Sequence, residues 1–212
     1  MSAPVSAVEV CNLSLDLLRH NTLIASIDTP ETEVESLAAR WYDATRRSVL
    51  RMFPWNFARK RAALSRSGTP TFGYADSYSL PVDFSSIVFI GDDIQDNIVE
   101  FVVEADQILI DNEAATTLNV CYVSDFQTVA KFDPIFVNLL VGELALVFGN
   151  AIAGLNKSLK GMETFRDRWE AKARAKNGQE NPPRIRHESP LLNARRSGRR
   201  STATDGIHLF NT

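Results

Sequence analysis

Apolar positions along the chain follow two different periods, and the change between them divides the sequence. In residues 8–18 and 34–52 apolar side chains recur every three or four positions, which is the spacing of one face of an α-helix. In residues 56–123 they form short runs with a period close to two, separated by Gly, Pro and Asp. Such runs predict short β-strands joined by turns. The helical period returns from residue 134 to residue 176.

The order of these periods predicts an α+β fold of three parts. Residues 1–54 and 131–178 would form an α-helical bundle, and residues 55–130 an inserted small antiparallel β domain, either a sandwich or a barrel. Residues 179–212 would be an extended basic C-terminal tail, because most of this segment lacks the apolar surface needed to offset its ordering entropy. The candidate strands are 56–64, 75–80, 86–90, 98–103, 108–110 and 117–123.

Two helices are predicted before the β segment and two after it. The first covers residues 4–19, and the second begins with Thr29 as its N-cap and Pro30 at its first helical position. The third, residues 134–153, is apolar on nearly every side, so we expect protein rather than a membrane around it. The fourth covers residues 157–176. The predicted inner face of the second helix consists of Val34, Leu37, Ala38, Trp41, Thr45, Val49 and Met52.

Charged residues are segregated along the sequence. Residues 44–75 contain seven basic residues and no acid, whereas residues 67–130 contain eleven acids and no Lys or Arg. Basic residues on a solvated helix and strand usually have no specific role, but the complete absence of acids favours a binding surface for nucleic acid or for another subunit. The basic residues are Arg46, Arg47, Arg51, Arg59, Lys60, Arg61 and Arg66.

The acid-rich insert provides a surface that such a basic cluster could bind in a second copy of the chain. A contact between the basic side of one subunit and the acidic insert of the next would be head to tail and would close a ring. The residues predicted for this subunit contact are Arg46, Arg47, Arg51, Arg59 and Arg61 on one side and Asp92, Asp93 and Asp96 on the other.

No motif for catalysis, metal binding or a cofactor is found in the sequence. A phosphate loop and a dinucleotide-binding glycine pattern are both missing. The histidines and the two cysteines, Cys11 and Cys121, do not have the spacing of zinc ligands. Widely separated cysteines indicate reduced, buried thiols in a protein made in a cytoplasm. We therefore expect a protein that is not an enzyme and that has no catalytic residues, metal or cofactor.

One run of residues is more specific than the rest of the chain. Tyr42, the pair Arg46-Arg47 and the segment Pro54-Trp55-Asn56-Phe57-Ala58 occur in this order. The run resembles a signature of the tail tubular protein A, or head-to-tail adaptor, family of short-tailed phages. That family has a histidine before the proline, where this chain has Phe53. Packing at that position could accept either residue.

The similarity to the head-to-tail adaptors covers roughly residues 8–178. It includes the segment 72–84, in which Leu80-Pro81 is soon followed by an acid, and the run 132–136 that leads into the long apolar helix. Together with the signature residues Tyr42, Pro54, Trp55, Asn56 and Phe57, these segments carry the resemblance.

The resemblance implies a structural protein of the virion. Twelve copies would form a ring under the portal protein, bind a tail nozzle similar to tail tubular protein B below, and close the head. DNA would leave through the channel of this ring without being bound specifically. The C-terminal segment would extend along the portal, and its predicted contacts are Arg184, Ile185, Arg186, Leu191, Leu192, Arg195, Arg196, Arg199, Arg200 and Phe210.

Two other classes of function remain as alternatives. A nucleic-acid-binding protein would use the arginine cluster of residues 46–66 and the arginine-rich tail, and its affinity for a duplex would fall steeply with salt. A cell-wall glycan hydrolase would use two of the many carboxylates as a catalytic pair. Such a pair requires a particular distance between the two carboxyl groups, and a sequence does not give that distance.

Overall fold

In a computed structural model, the structure describes residues 6–91, 100–111, 116–152 and 159–180 of the chain. These residues belong to one compact unit, Met1–Asn181. The helices and strands in chain order are α1 (Ala7–Leu17), α2 (Glu33–Met52), β1 (Arg59–Gly68), β2 (Asp76–Ser79), β3 (Phe84–Ile90), β4 (Phe101–Glu104), β5 (Gln107–Ile110), β6 (Thr117–Ser124), α3 (Pro134–Ile152) and α4 (Leu159–Glu180). The mixed α+β class predicted from the sequence is confirmed.

The six strands form one curled antiparallel sheet with the order β3-β6-β1-β2-β5-β4. The ten-residue strand β1 connects its two halves, because its first part pairs with β6 and its last part pairs with β2. A register shift between Arg66 and Gly68 marks the change of partner, and such irregularities bend a strand. Among the described residues the sheet is therefore an open half-barrel, which is closer to the predicted barrel than to the predicted sandwich.

Helix α3 lies at the centre of the helical part. Helices α1, α2 and α4 each contact it, and ten of its residues are buried. By length and composition α3 could cross a membrane, but its side chains pack into the main apolar core together with residues of the other helices and of β6. The sequence predicted a buried helix here from apolar residues on nearly every side, and the structure contains that helix. Its start is also as predicted, since the Asp133 carboxylate accepts a hydrogen bond from the Ile135 N–H at 2.7 Å.

The start of α2 differs from the prediction. The N-cap is Thr32, whose hydroxyl accepts a hydrogen bond from the Glu35 N–H, while the Glu35 carboxylate accepts one from the Thr32 N–H. This reciprocal pair is a capping box, which satisfies two amides that the helix leaves free. Thr29, the predicted N-cap, instead donates its hydroxyl hydrogen to Ser26 in the preceding loop. The helix therefore begins three residues later than the Thr29-Pro30 pattern suggested.

The buried face of α2 is rotated relative to the predicted one. Trp41 and Met52, expected to lie inside, are 42% and 41% exposed. The positions buried in their place include Tyr42, Arg46 and Leu50. The prediction failed because apolar periodicity counts an arginine as a surface residue, whereas Arg46 is 1% exposed and defines the inner face of the helix.

The Glu35 carboxylate organises the loop before α2 in addition to its role in the cap. It also accepts hydrogen bonds from the N–H groups of Ala25 and Glu31, both at 2.9 Å. Backbone hydrogen bonds, first from Ala25 and then from Glu31, lower the pKa of Glu35 to about 2. The ionised form is thus favoured by folding.

Replacing Glu35 with Gln should lower the urea midpoint of unfolding near neutral pH, since an amide accepts these hydrogen bonds more weakly than a carboxylate does. A lowered folded-state pKa means that the stabilisation is complete above the unfolded value of 4.5 and is lost as the pH falls towards about 2. The difference in midpoint between wild type and Glu35→Gln should shrink over that interval in urea titrations at successive pH values. A difference that stays constant with pH would contradict this assignment.

Gly142 of α3 lies against α4. A Cβ atom at this position would lie 3.3 Å from the Cα and Cβ atoms of Arg166 and from Cδ1 of Phe165. Gly142→Val should therefore lower the free energy of unfolding by about 1 to 3 kcal/mol through overpacking. Gly161→Val is the matched control, because nothing lies within 4 Å of a Cβ there and valine is the better helix former. Denaturant unfolding of both variants measures the contrast, and equal effects would contradict the close packing.

Candidate interaction surfaces

The part of the signature that joins α2 to β1 is Pro54-Trp55-Asn56-Phe57-Ala58. We call it the signature segment, and it has a structural role. The Trp55 indole N–H donates a hydrogen bond to the Val49 carbonyl at 3.0 Å. That carbonyl lies in the last turn of α2, where no helical partner is available. The Trp55 ring packs edge-on against Phe136 of α3, with 5.1 Å between ring centroids. Trp55 thus satisfies a carbonyl in the last turn of α2 and fixes the end of that helix on the core.

Phe57 continues this arrangement as the centre of an aromatic cluster. Its ring lies 5.5 Å from that of Phe126, 5.6 Å from that of Phe132 and 5.1 Å from that of Phe136. Aromatic pairs at these separations add to the stabilisation from apolar burial. The cluster connects the segment before β1 to the segment between β6 and α3. Phe53, which stands where the family motif has histidine, packs edge-on against Trp55.

Arg46 is the largest of the fully buried side chains, and its guanidinium binds groups of the same chain. It donates to the Asp125 carboxylate at 2.6 Å and to the Phe126 carbonyl at 2.8 Å through Nη1, and to Asp43 at 3.2 Å through Nε. The prediction that Arg46 lies on the surface for a neighbouring subunit is therefore wrong. A buried guanidinium needs several acceptors to offset its lost hydration. The segment after β6 supplies two of them and α2 supplies the third, whereas Nη2 is buried without a partner among the described residues.

Tyr42 lies one helical turn before Arg46 on the same buried face. Burial, with a smaller contribution from Cys11, raises the pKa of Tyr42 to about 12. Burial also raises the pKa of Cys11 to about 12. Both groups therefore stay protonated at neutral pH, and Tyr42 takes part in the core rather than in acid–base chemistry.

Other members of the basic cluster also pair with acids of the insert. Arg47 binds the second carboxylate oxygen of Asp125 at 3.1 Å, and Arg66 binds the buried Asp76 at 2.6 Å. Lys60 binds Asp83 at 2.5 Å, and the hydrogen bond from Lys60 lowers the pKa of that carboxyl. Charges that are separated along the sequence thus neutralise one another inside the fold.

Arg59 and Arg61 of β1 are the cross-strand partners of Val123 and Cys121 of β6, so these side chains lie on one face of the sheet. Arg59 is partly buried. The Arg61 guanidinium lies over the Phe89 ring, 5.2 Å from its centroid, which is the geometry of a cation–π contact. Burial raises the pKa of Cys121, while Arg59 and Arg61 act in the opposite direction. These two arginines, predicted to contact another subunit, therefore also make contacts within the sheet region.

One face of α2 remains for a partner, and we call it the α2 outer face. It consists of seven exposed residues and is bordered on its arginine side by the exposed Asp43, which binds Arg46; the seven are Arg40, Trp41, Ala44, Arg47, Ser48, Arg51 and Met52. Among the described residues no ion pair involves Arg40 or Arg51, whereas Arg47 is held by Asp125. Arg51 is thus the predicted contact residue that best fits a role outside the chain. The sequence did not indicate Arg40, Trp41 or Met52, because Trp41 and Met52 were assigned to the core.

Acidic groups are also exposed on the hairpin of β4 and β5, where β4 forms an edge of the sheet. Glu100, Glu104 and Asp106 are exposed there, and within the described ranges none of them has an ion pair. Val103 of the same hairpin is 40% exposed. The predicted contacts Asp92, Asp93 and Asp96 lie outside the described residues.

The end of α4 is fixed beside the signature segment. Asn56 donates a hydrogen bond from its side-chain amide to the Glu180 carboxylate at 2.5 Å. Lys176 binds Asp133 at 2.6 Å, and this hydrogen bond raises the pKa of the lysine. These residues line a small cleft together with Trp55 and Phe57. The ten tail residues predicted to bind the portal, from Arg184 to Phe210, lie outside the described residues.

Among the residues that the structure describes, no group of three or more His, Cys, Asp or Glu side chains is arranged to hold a metal ion. His20, at the end of α1, accepts a long hydrogen bond from the Thr22 N–H through its ring. Comparison of the sequence with protein-family models and with curated proteins finds no match to either.

Replacing Arg46 with Met should lower the free energy of unfolding by about 3 kcal/mol, because Asp125 and the Phe126 carbonyl lose a buried donor. Arg51→Met is the matched control on the exposed face of the same helix and should change stability by about 0.5 kcal/mol or less. Urea unfolding of both variants measures these effects. Similar values for the two arginines would mean that the buried ion pair does not stabilise the fold.

Proposed function

We propose that the chain is a head-to-tail adaptor of a short-tailed phage, a structural protein that has no catalytic role. Twelve copies would form a ring between the portal protein and a tail nozzle similar to tail tubular protein B. The ring would close the filled head and continue the channel through which DNA is ejected. The protein would be made in the host cytoplasm and would act in the neck of the virion.

The positions of the signature residues support this proposal. Tyr42 and Arg46 lie on the buried face of α2, and Trp55 and Phe57 connect α2 to the sheet. The residues that carry the resemblance therefore share one task, which is to hold the helices and the inserted sheet in a fixed arrangement. The resemblance also implies that these helices form a bundle, with α3 as its central member.

The observation that carries the proposal is the position of the end of α4, the last described element before the C-terminal tail. Helix α4 ends at Glu180, which binds Asn56 of the signature. The following residues include six arginines, against the acids Glu188 and Asp205. The 32 residues after Glu180 could reach about 105 to 115 Å if fully extended, and arginines form forked pairs with carboxylates of another protein. A fixed base with a long cationic segment suits attachment to a larger assembly.

Intrachain pairing favours this proposal over the nucleic-acid alternative. Arg46, Arg47, Lys60 and Arg66 are each held by an acid of the same chain. A duplex-binding surface needs cations that can replace counterions along phosphates, and paired cations contribute less to that exchange. The DNA in the proposed channel would accordingly pass without specific binding.

Deleting residues 182–212 should abolish stable binding to portal rings and leave the fold intact, since every contact of α4 described above lies before residue 181. The measurement is co-sedimentation of the purified chain with purified portal rings of its phage, with circular dichroism and thermal unfolding as checks of the fold. A full-length variant with Ser in place of the six tail arginines tests whether the charge itself is needed.

Unchanged co-sedimentation of the truncated chain would overturn tail docking. Salt-sensitive binding of the full-length chain to duplex DNA, lost together with the six arginines while portal binding persists, would favour the nucleic-acid function instead.

A further inference from the structure

The α2 outer face has the composition of a protein-binding surface. At 3.6 residues per turn its seven residues lie within an arc of about 140°. The arginines Arg40, Arg47 and Arg51 lie along one side of this arc, and Trp41 and Met52 lie along the other. Ala44 and Ser48 lie between the two sides and leave a shallow path along the helix. Arginine, tryptophan and methionine are enriched at the centres of interfaces between proteins.

The hairpin of β4 and β5 has complementary properties. Glu104, Ala105 and Asp106 form its exposed end, and the partly exposed Val103 gives it an apolar contact surface. Its strand β4 is at the edge of the sheet, so the hairpin projects from the fold without a further described strand beside it. An apolar side chain beside carboxylates matches an apolar strip beside arginines.

The two surfaces lie on different parts of the fold, since α2 contacts β3 at one edge of the sheet and β4 forms the other edge. Strand β1 begins soon after the end of α2, at Arg59, and pairs with the other half of the sheet through Arg66 and Gly68. Ten residues of strand span roughly 30 Å. Beyond that end of β1 the order continues through β2 and β5 to β4. Among the described residues no ion pair joins the two surfaces within one copy, so a second copy can supply the opposite charges.

We propose that the α2 outer face of one copy binds the β4–β5 hairpin of the next copy. The contact uses two different surfaces, so it joins copies head to tail and cannot produce a two-fold symmetric dimer. This inference deepens the proposed adaptor function, because it names the partner as a second copy of this chain and assigns the residues of the subunit contact. It replaces Arg46 with Arg40 and Arg51, and it adds the hydrophobic pair of Trp41 and Val103.

Charge reversal on the two surfaces tests the contact. The first variant, Arg40→Glu with Arg51→Glu, has acids on both surfaces, and the second, Glu104→Lys with Asp106→Lys, has bases on both. Each variant alone should associate at least about a hundredfold more weakly than wild type, because like charges then face each other across the contact. An equimolar mixture should associate again, since copies of the two variants can alternate. Arg47 is left unchanged because it also binds Asp125.

The measurement is sedimentation velocity of the full-length chains over a concentration series at low salt, where the charge contribution is largest. Lys160→Glu with Arg168→Glu is the matched control, with the same change in net charge on exposed positions of α4, and it should associate like wild type. Circular dichroism confirms that every variant is folded.

A wild-type chain that stays monomeric, a reversed variant that associates normally, or a mixture of reversed variants that stays monomeric would each overturn the contact. Loss of association in the control would also overturn the contact, because the weaker association of the reversed variants would then follow from their net charge alone. None of these outcomes affects the portal test, because tail docking is measured by co-sedimentation with portal rings and does not require copies of the chain to bind one another in solution.

Discussion

The buried ion pair of Arg46 and Asp125 is the interaction on which the arrangement of the helices and the sheet depends. The two residues lie 79 positions apart in the chain, one in the middle of α2 and the other at the end of β6. Removing a guanidinium from water costs several kcal/mol. The cost is offset in part by the acceptors that Nη1 and Nε find in Asp125, the Phe126 carbonyl and Asp43, while Nη2 is buried without a partner in the part of the chain that the structure describes. The pair therefore selects one position of α2 against the sheet more than it adds net stability.

Apolar packing around this pair extends the same constraint. Phe126 follows Asp125 directly, and its ring packs on Phe57, which follows α2 and precedes β1. Phe57 in turn contacts Phe136 of α3. The ion pair and the aromatic cluster thus link the same three segments, namely α2, the start of β1 and the segment from β6 to α3. Because the aromatic rings fill the space beside a hydrogen-bonded charge, neither part can shift without loosening the other.

The sequence predicted those features that depend on neighbouring residues. The six strands were found within a few residues of their predicted bounds, since period-two runs ended by Gly and Pro report local backbone geometry. Helix α3 was predicted because an all-round apolar helix has to be covered. The start of α2 was predicted wrongly even though its signal is local. The sequence contains two candidate caps, and the reciprocal hydrogen bonds of Thr32 and Glu35 satisfy more backbone amides than Thr29 and Pro30 would.

The charges could not be assigned from sequence, because their pairing is long-range. A run without acids suggested a free basic surface, yet Asp76, Asp83 and Asp125 reach that run through the antiparallel pairing of the sheet. Trp55 and Phe57 are two of the residues that carry the resemblance. Their role is in packing and not in surface recognition. They stabilise the junction that carries the surfaces, and no count of charges along the chain reveals such a role.

Folding thus pairs some of the charged residues within the chain and leaves others exposed. The pairs of Arg46 and Arg47 with Asp125 hold α2 against the segment that follows β6, while the α2 outer face and the β4–β5 hairpin lie on α2 and on the sheet. In a head-to-tail assembly the rotation between neighbouring copies is determined by the angle between the two contact surfaces on a single copy. The number of copies that closes a ring would then depend on the buried junction of Arg46, Asp125 and Phe57, although none of these residues touches a neighbour.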